Sequence, residues 1–384
     1  MGENSVLIGE YHPWESTVRV GGHHYAKLFL QAGWRVGYIS HPISPVHIIR
    51  AGNVSRFKRW ISGGLASANF FAYVPMTLLP YYNAPILRRE YIAYKTLKFC
   101  IPPLKKVLDK HGLGGVKVLF VSNPVLAGLT EIVRYECFVF RISDEMGAFR
   151  SSPPSIQQLT ERYAMRANIV FATSERLCEE LRYLRPDVVY LPNGCDYDHF
   201  AALPRLEPLE YQHIPSPRVI YVGAIADWFD VDLVSWVATR LPDISFVLIG
   251  PVIGCNLKDL QTHRNVYILG PRAYSDLPAY MQHADVGIIP FLKSRLTDAV
   301  NPIKLFEYCA AGLPVVITDL AEAGRYANQD FILKAKTCDE FIMLLEVAIQ
   351  HRDKVRDKCK AFAHANSWAA RFATVMSLIE EERY

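Results

Sequence analysis

The sequence predicts an α/β protein built on parallel sheets, and three observations carry that prediction. Short β-branched or aromatic runs alternate with helical stretches along most of the chain. Several of these runs are mostly apolar, as strands buried on both faces require: SVLIG, GVKVLFV, CFVFRI, SFVLIG and VGIIP. At 384 residues, about half of them hydrophobic, the chain is long enough for two or three domains with sizeable cores. Charged residues make up 21% and the net charge is +4, which fits neither a disordered chain nor a nucleic-acid binder. None of the eight cysteines has Cys-x-x-Cys spacing, or His at metal spacing, so we expect reduced thiols in a cytosolic protein. Glu3 and Glu10, with no long apolar run, give no expectation of a secretory signal.

Ser5 to Gly9 reads as the first strand. Gly21-Gly22-His23-His24 opens a helix over 25–32, and Trp34 to Ile39 is the next strand, completing a βαβ unit. The loop lacks Gly-x-Gly-x-x-Gly, so a dinucleotide site is poorly supported.

Residues 50–110 differ from their surroundings. Trp60 to Leu87 holds no charged residue, whereas eleven Lys and Arg against Glu90 and Asp109 give the whole segment a net +9. The rest of the chain is therefore net acidic. Pro75, Pro80 and Pro85 argue against a membrane-spanning helix. The composition favours an amphipathic or irregular surface segment on an anionic membrane, with a buried insertion whose basic flanks are solvated as the alternative.

Two strands follow, Gly115 to Val121 and Cys137 to Ile142, the second leading to Ser143-Asp144-Glu145. Ligands of open α/β sheets gather at the carboxyl ends of strands, so Asp144 is placed for general-base chemistry. Capping of the next turn by Asp144 or Glu145 is the alternative. A helix over 156–166, a strand over 169–173, a helix over 174–184 and a strand over 188–191 lead to Pro192-Asn193-Gly194, a turn signal. A proline-rich linker over 197–217 precedes the second alternating series, with strands over 218–223, 245–250, 266–269 and 286–290. Asn301-Pro302 then starts a helix that Gly312 and Pro314 end, and Val315 to Ile317 is a strand. Lys304 near that helix start adds to a natural anion site, and Glu307 can accept bonds from hydroxyls. A surface Lys–Glu pair on a plain αβ unit is the alternative. Helices are expected over 341–352 and from Asn366 onward.

The run Pro302-x-Lys304-x-x-Glu307-Tyr308-x-Ala310-x-Gly312-x-Pro314-Val315-Val316 resembles the donor-site signature of GT-B nucleotide-sugar glycosyltransferases. The resemblance implies two Rossmann-like domains facing one another. Residues 1–200 would be the acceptor domain, 201–365 the donor domain, and 366–384, with Trp368, a closing helix that crosses back. It implies that Lys304 contacts the donor diphosphate and Glu307 the donor hydroxyls. Asn301, Pro302 and Tyr274 would lie at the donor, and Arg295 or Lys293 would supply positive charge that the turn 224–230 lacks. Gly22, His23 and His24 would face donor or acceptor. For the His pair, an exposed loop position is the alternative. The retaining branch of the family carries an acid where this chain has Ala299, with Asp298 beside it.

The loop at Asp144 resembles that of inverting, membrane-associated bacterial glucuronosyltransferases of exopolysaccharide synthesis. The resemblance implies that Asp144, or secondly Glu145, is the base. The expected partners are a UDP-sugar, a lipid-linked glycan acceptor and an anionic membrane surface, with no nucleic acid and no metal. The expected location is the cytoplasmic face of the cell membrane. A retaining transferase, or a non-catalytic scaffold binding a membrane partner, would share the same donor-site sequence.

Overall fold

The structure is a computed structural model that describes residues 4–45, 54–145, 147, 152–202, 205–326 and 328–382. Arg50, and Phe149 in the loop after Asp144, lie outside the described residues. The chain divides into two compact units, one of residues 1–192 with 372–384 and the other of residues 193–371. The expected linker therefore begins inside the second unit.

The first unit contains an eight-stranded sheet. Its strands are β1 (Ser5–Glu10), β2 (Arg35–Ser40), β3 (Leu65–Ala66), β4 (Phe70–Tyr73), β5 (Gly115–Val121), β6 (Arg134–Ile142), β7 (Ile169–Ala172) and β8 (Val189–Tyr190). The order is β3-β4-β2-β1-β5-β6-β7-β8, parallel except for the β3–β4 hairpin. The chain runs outward one way from β1 and the other way from β5, so the switch point lies between their carboxyl ends. β1 is buried along its whole length, as its apolar run requires.

The charge-free stretch 60–87 departs from the surface reading. Phe70 to Tyr73 forms β4, which pairs with β2 through Val36–Phe70 and Ile39–Tyr73, and Val74, Met76 and Tyr81 are also buried. Only part of the stretch is exposed, including Ile61, Leu65, Leu78 and Ile86. Among the described residues no helix is long and apolar enough to cross a membrane.

The second unit holds a six-stranded parallel sheet ordered β11-β10-β9-β12-β13-β14. These strands are β9 (Arg218–Val222), β10 (Ser245–Ile249), β11 (Val266–Gly270), β12 (Val286–Ile289), β13 (Val315–Thr318) and β14 (Ile332–Ala335). Its switch point lies between β9 and β12. Helix starts are capped as their sequences specify: Asp230 accepts from Leu233 N–H at 2.9 Å, and Thr337 from Glu340 N–H at 3.1 Å. The helix expected over 341–352 runs from Cys338 to Ala365. Val355, Cys359 and Ala363 continue its buried stripe at four-residue spacing. The last helix, Trp368–Glu381, starts in the second unit and ends in the first, where Phe372 meets Phe29 edge-on at 4.8 Å.

Candidate functional site

In the second unit, the candidate residues collect at the carboxyl ends of the switch strands. β12 is followed by the loop 290–302 and then the helix Ile303–Ala310. No side chain caps this helix at Pro302, and Lys304 lies in its first turn. Lys304 forms an ion pair with Glu307 one turn on. Glu307 is 2% exposed, while the Lys304 side chain keeps 28% of its surface. Burial raises the Glu307 carboxyl above its ordinary range, and the Lys304 charge opposes that rise. Gly312, at φ +86°, is the left-handed residue that ends the helix, as its sequence position requires.

Tyr308 pins the helix to the sheet. Its hydroxyl accepts from Val222 N–H at the end of β9, 2.7 Å away. Gly287 on β12 makes room for the ring, since a Cβ there would stand 2.5 Å from it.

Asn301 is a latch between segments. Its Oδ1 accepts from Asn193 N–H at 3.0 Å, and its carbonyl accepts from Asn193 Nδ2 at 2.7 Å. Its Nδ2 donates to Glu322 at 3.3 Å and to the Tyr326 hydroxyl at 3.4 Å. The Pro192-Asn193-Gly194 turn therefore fixes where the helix begins. Tyr274 is half-buried, with His199 stacked flat on it at 4.4 Å, and His199 Nε2 donates to the Tyr274 carbonyl at 2.9 Å. His199 also adds its field to that of Lys304 at Glu307.

The two candidate cations on the β12 loop differ. Arg295 is exposed at the start of a short helix, Arg295–Asp298. Lys293 is committed to Asp319 at 3.2 Å, a carboxylate that also holds Lys334 at 2.7 Å. Backbone bonds lace the turn after β9 to its neighbours: Ile225 N–H to Pro251 O at 2.9 Å, and Asp230 N–H to Pro290 O at 2.8 Å. Ala299 is fully buried, and Asp298 accepts from Ala321 N–H at 3.3 Å.

In the first unit, Asp144 sits past the carboxyl end of β6, partly buried. Ser143 donates to it at 3.1 Å. Burial raises its carboxyl above the ordinary range, opposed by the Ser143 bond and by Arg141. Glu145 is 8% exposed, with Arg176 at 3.9 Å. Arg141, itself 2% exposed on β6, lies over the Tyr25 ring at 5.7 Å.

Gly22, His23 and His24 do not form an open loop. The helix begins at Gly21, and all three residues are buried in its first turn. Gly22 is needed for a close approach: a Cβ there would stand 2.4 Å from Glu10 Oε2. The Glu10 carboxylate, at the end of β1, accepts from Tyr11 N–H at 2.7 Å and from Gly22 N–H. It occupies the helix N-terminus.

His23 is fully buried, and its Nε2 donates to Pro13 O at 3.0 Å while its Nδ1 accepts from Val20 N–H at 3.3 Å. One tautomer satisfies both bonds, and burial lowers the imidazole to about 4. His23 is thus a neutral internal strut. Glu10, Arg141 and His199 were not singled out from sequence. A lone charge inside an apolar strand, as in LIGE and FVFRI, is the signal that marks the first two.

Residues 216–350 match the family model described as Glycosyl transferases group 1. The TuaH protein of Bacillus subtilis (strain 168) is 27% identical over 228 residues, which cover 56% of this chain and 57% of TuaH. TuaH is provisionally named a glycosyltransferase of teichuronic acid biosynthesis. The chain thus matches little more than half the length of that relative.

Among solved structures, sucrose-phosphate synthase from Thermosynechococcus elongatus superposes with TM-score 0.69 at 13% identity, over 98% of each chain. HepE of Anabaena, solved in complex with UDP, gives 0.66 at 14% identity, over 98% of this chain and all of HepE. The chain therefore has the GT-B fold, and residues 216–350 of its second unit are similar to the glycosyl transferases group 1 family.

Proposed function

We propose that the protein is a glycosyltransferase moving a sugar, glucuronic acid or another hexose, from a UDP-sugar to a lipid-linked glycan acceptor in polysaccharide synthesis. One observation carries this reading: the helix Ile303–Ala310, with Lys304 and buried Glu307, at the switch point of the sheet that matches the family. The UDP held by HepE supports the donor class, and the name of TuaH supports the polymer.

In this reading the donor diphosphate meets the Lys304 ammonium and the helix N-terminus, which stabilise the charge growing on the leaving UDP. Glu307 accepts bonds from donor hydroxyls. No metal is assigned to the leaving group. Asp144 removes the proton from the acceptor hydroxyl as its oxygen attacks the anomeric carbon. The new C–O bond forms as the bond to the diphosphate breaks, UDP leaves, and the configuration inverts. Burial suits Asp144 to this role, because a raised pKa makes a stronger base. The basic 50–110 segment, with Ile61, Leu78, Phe99 and Ile101 exposed within it, would hold the enzyme on the inner face of the cell membrane.

The test is Asp144→Asn, assayed with a panel of nucleotide sugars and a membrane extract. Turnover should fall by roughly 10²–10⁴-fold with donor binding kept, and the wild-type product should be inverted. The wild-type rate should fall in acid as Asp144 is protonated, beginning at a higher pH than an ordinary Asp allows. Full activity with a retained product makes the enzyme a retaining transferase. If wild-type protein turns over none of the sugars, the catalytic reading is lost and a binding scaffold replaces it.

A further inference from the structure

A second concave site lies in the first unit, at the amino ends of the strands, opposite the ends that carry Glu10 and Asp144. Three segments build it. Arg35 and Val36 open β2, residues 67–71 belong to the β3–β4 hairpin, and residues 110–113 lead into β5. They enclose an open cavity of about 320 Å³. Its charged and polar lining comes from Arg35, Lys110, His111, Ser67 and Asn69, and no lining residue is acidic. The nearest acid in sequence, Asp109, is turned toward Lys105 at 2.9 Å.

The wall is fixed by the fold. The His111 ring stacks on Phe71 with centroids 3.7 Å apart and planes within 13°. Gly112 turns with φ +68°, and a Cβ there would stand 2.6 Å from Arg35 Nη1, so the guanidinium lies against the loop. Val36 N–H donates to Asn69 O at 2.8 Å and holds the hairpin in place. Arg35, Lys110 and His111 therefore line one concavity, with Ser67 and Asn69 beside them. That donor set matches a phosphate group in charge and in hydrogen-bond sense.

We propose that this cavity binds a phosphate-bearing ligand, supplied by the headgroup of an anionic lipid or by a soluble phosphoester. The lipid source rests on the membrane reading above and is supported by the rim. Ile61, 64% exposed, stands just before the hairpin and Leu65, 39% exposed, opens it, while Gly64 between them packs on the Phe71 ring. Seated on a bilayer, the cavity would face the phosphates while these apolar side chains reach toward the acyl boundary. The affinity for phosphate itself does not depend on that reading.

The experiment has two arms. In the first, the His111 imidazole of the full chain is titrated by NMR with and without inorganic phosphate. Burial, and then the Lys110 charge, hold this imidazole low in the free protein. A bound anion favours the imidazolium, so the titration should move upward, and Lys110→Met should abolish the move. In the second, flotation is compared between neutral phosphatidylcholine vesicles and the same vesicles carrying phosphatidic acid. Wild type should float several-fold more with the acidic lipid. Lys110→Met should lose that preference, and Ile61→Ser should lose flotation while keeping its response to phosphate. A response to inorganic phosphate without acidic-lipid preference supports the site with a soluble phosphoester and overturns the lipid source. No response of His111 to phosphate, and no effect of Lys110→Met on flotation, overturns the site.

Discussion

Replacing Lys304 with methionine separates what the Lys304–Glu307 pair does for the fold from what it does for chemistry. Glu307 is 2% exposed, and Lys304 is its ion-pair partner. Breaking a fully buried pair by removing one partner costs about 3–5 kcal/mol. Two features lower that figure here. The Lys304 side chain is 28% exposed, so water screens part of its field. Burial already raises the Glu307 carboxyl despite Lys304, so the orphaned acid escapes its penalty by taking up a proton. A loss of about 1–2 kcal/mol near neutral pH follows from discounting the buried-pair value.

The sign of the pH dependence is fixed. A carboxyl raised in the folded state favours folding when protonated and loses that advantage as pH rises through its folded value. Losing Lys304 raises Glu307 further, so the deficit of the variant should shrink in acid and grow toward alkaline pH. Adding Glu307→Gln removes the buried charge and should restore most of the stability. It should not restore turnover. Both the single and the double variant should lose roughly 10²–10³-fold in kcat, the scale for removing one group that meets developing transition-state charge. Urea unfolding at acidic and neutral pH, with UDP release as the rate assay, compares wild type with the single and the double variant. Recovery of activity together with stability in the double variant would refute the reasoning, because Lys304 would then serve only to neutralise Glu307.

Two further outcomes are expected. His23 is held neutral in the fold down to about 4 but protonates near 6.5 when unfolded, so stability should drain away as pH falls between those values. The full span is worth about 3 kcal/mol, and urea melts of wild type against His23→Asn should show a shallower acid slope in the variant. Asn301→Ala removes the side-chain bonds to Asn193, Glu322 and Tyr326 and should cost about 2–3 kcal/mol in thermal or urea unfolding. It should also weaken UDP binding by calorimetry, because the helix start loses its anchor while Lys304 remains.

The alternating αβ order was legible because its signals are local. GVKVLFV forms β5 over the predicted residues, buried on both faces from Val118 to Val121, and the helix over 156–166 matches its prediction. The stretch 60–87 was less legible because its burial is decided far away in sequence. A charge-free run broken by prolines suits an interface or a core, and only pairing with β2 sends Phe70 to Tyr73 inside. The helix ending at Ala365 was foreshortened because a charged run, HRDKVRDK, looks like a terminus. Its charges instead meet partners beyond local reach, Arg352 with Asp285 and Lys358 with Asp330. At the candidate site, the motif around Lys304 and Glu307 was readable, but the role of Asn301 was not. A latch to Asn193 is a contact between distant segments and leaves no periodic trace.

The two units treat the same structural opportunity in opposite ways. Each sheet sends a strand into a loop and then a helix at its switch point, and each such helix N-terminus is a ready anion site. In the first unit the Glu10 carboxylate fills that position, bonded to the Tyr11 and Gly22 amides and pressed against Gly22. A diphosphate brought there would meet a carboxyl, which burial makes harder to ionise, where it needs donors. In the second unit the helix starts at Pro302 with no side-chain cap, and its first turn carries a cation instead. Of the two helix starts, the one in the second unit carries a cation and the one in the first a carboxyl. On the function proposed above, the first unit would take the acceptor hydroxyl, and Asp144 is a partly exposed carboxyl there with a raised affinity for a proton.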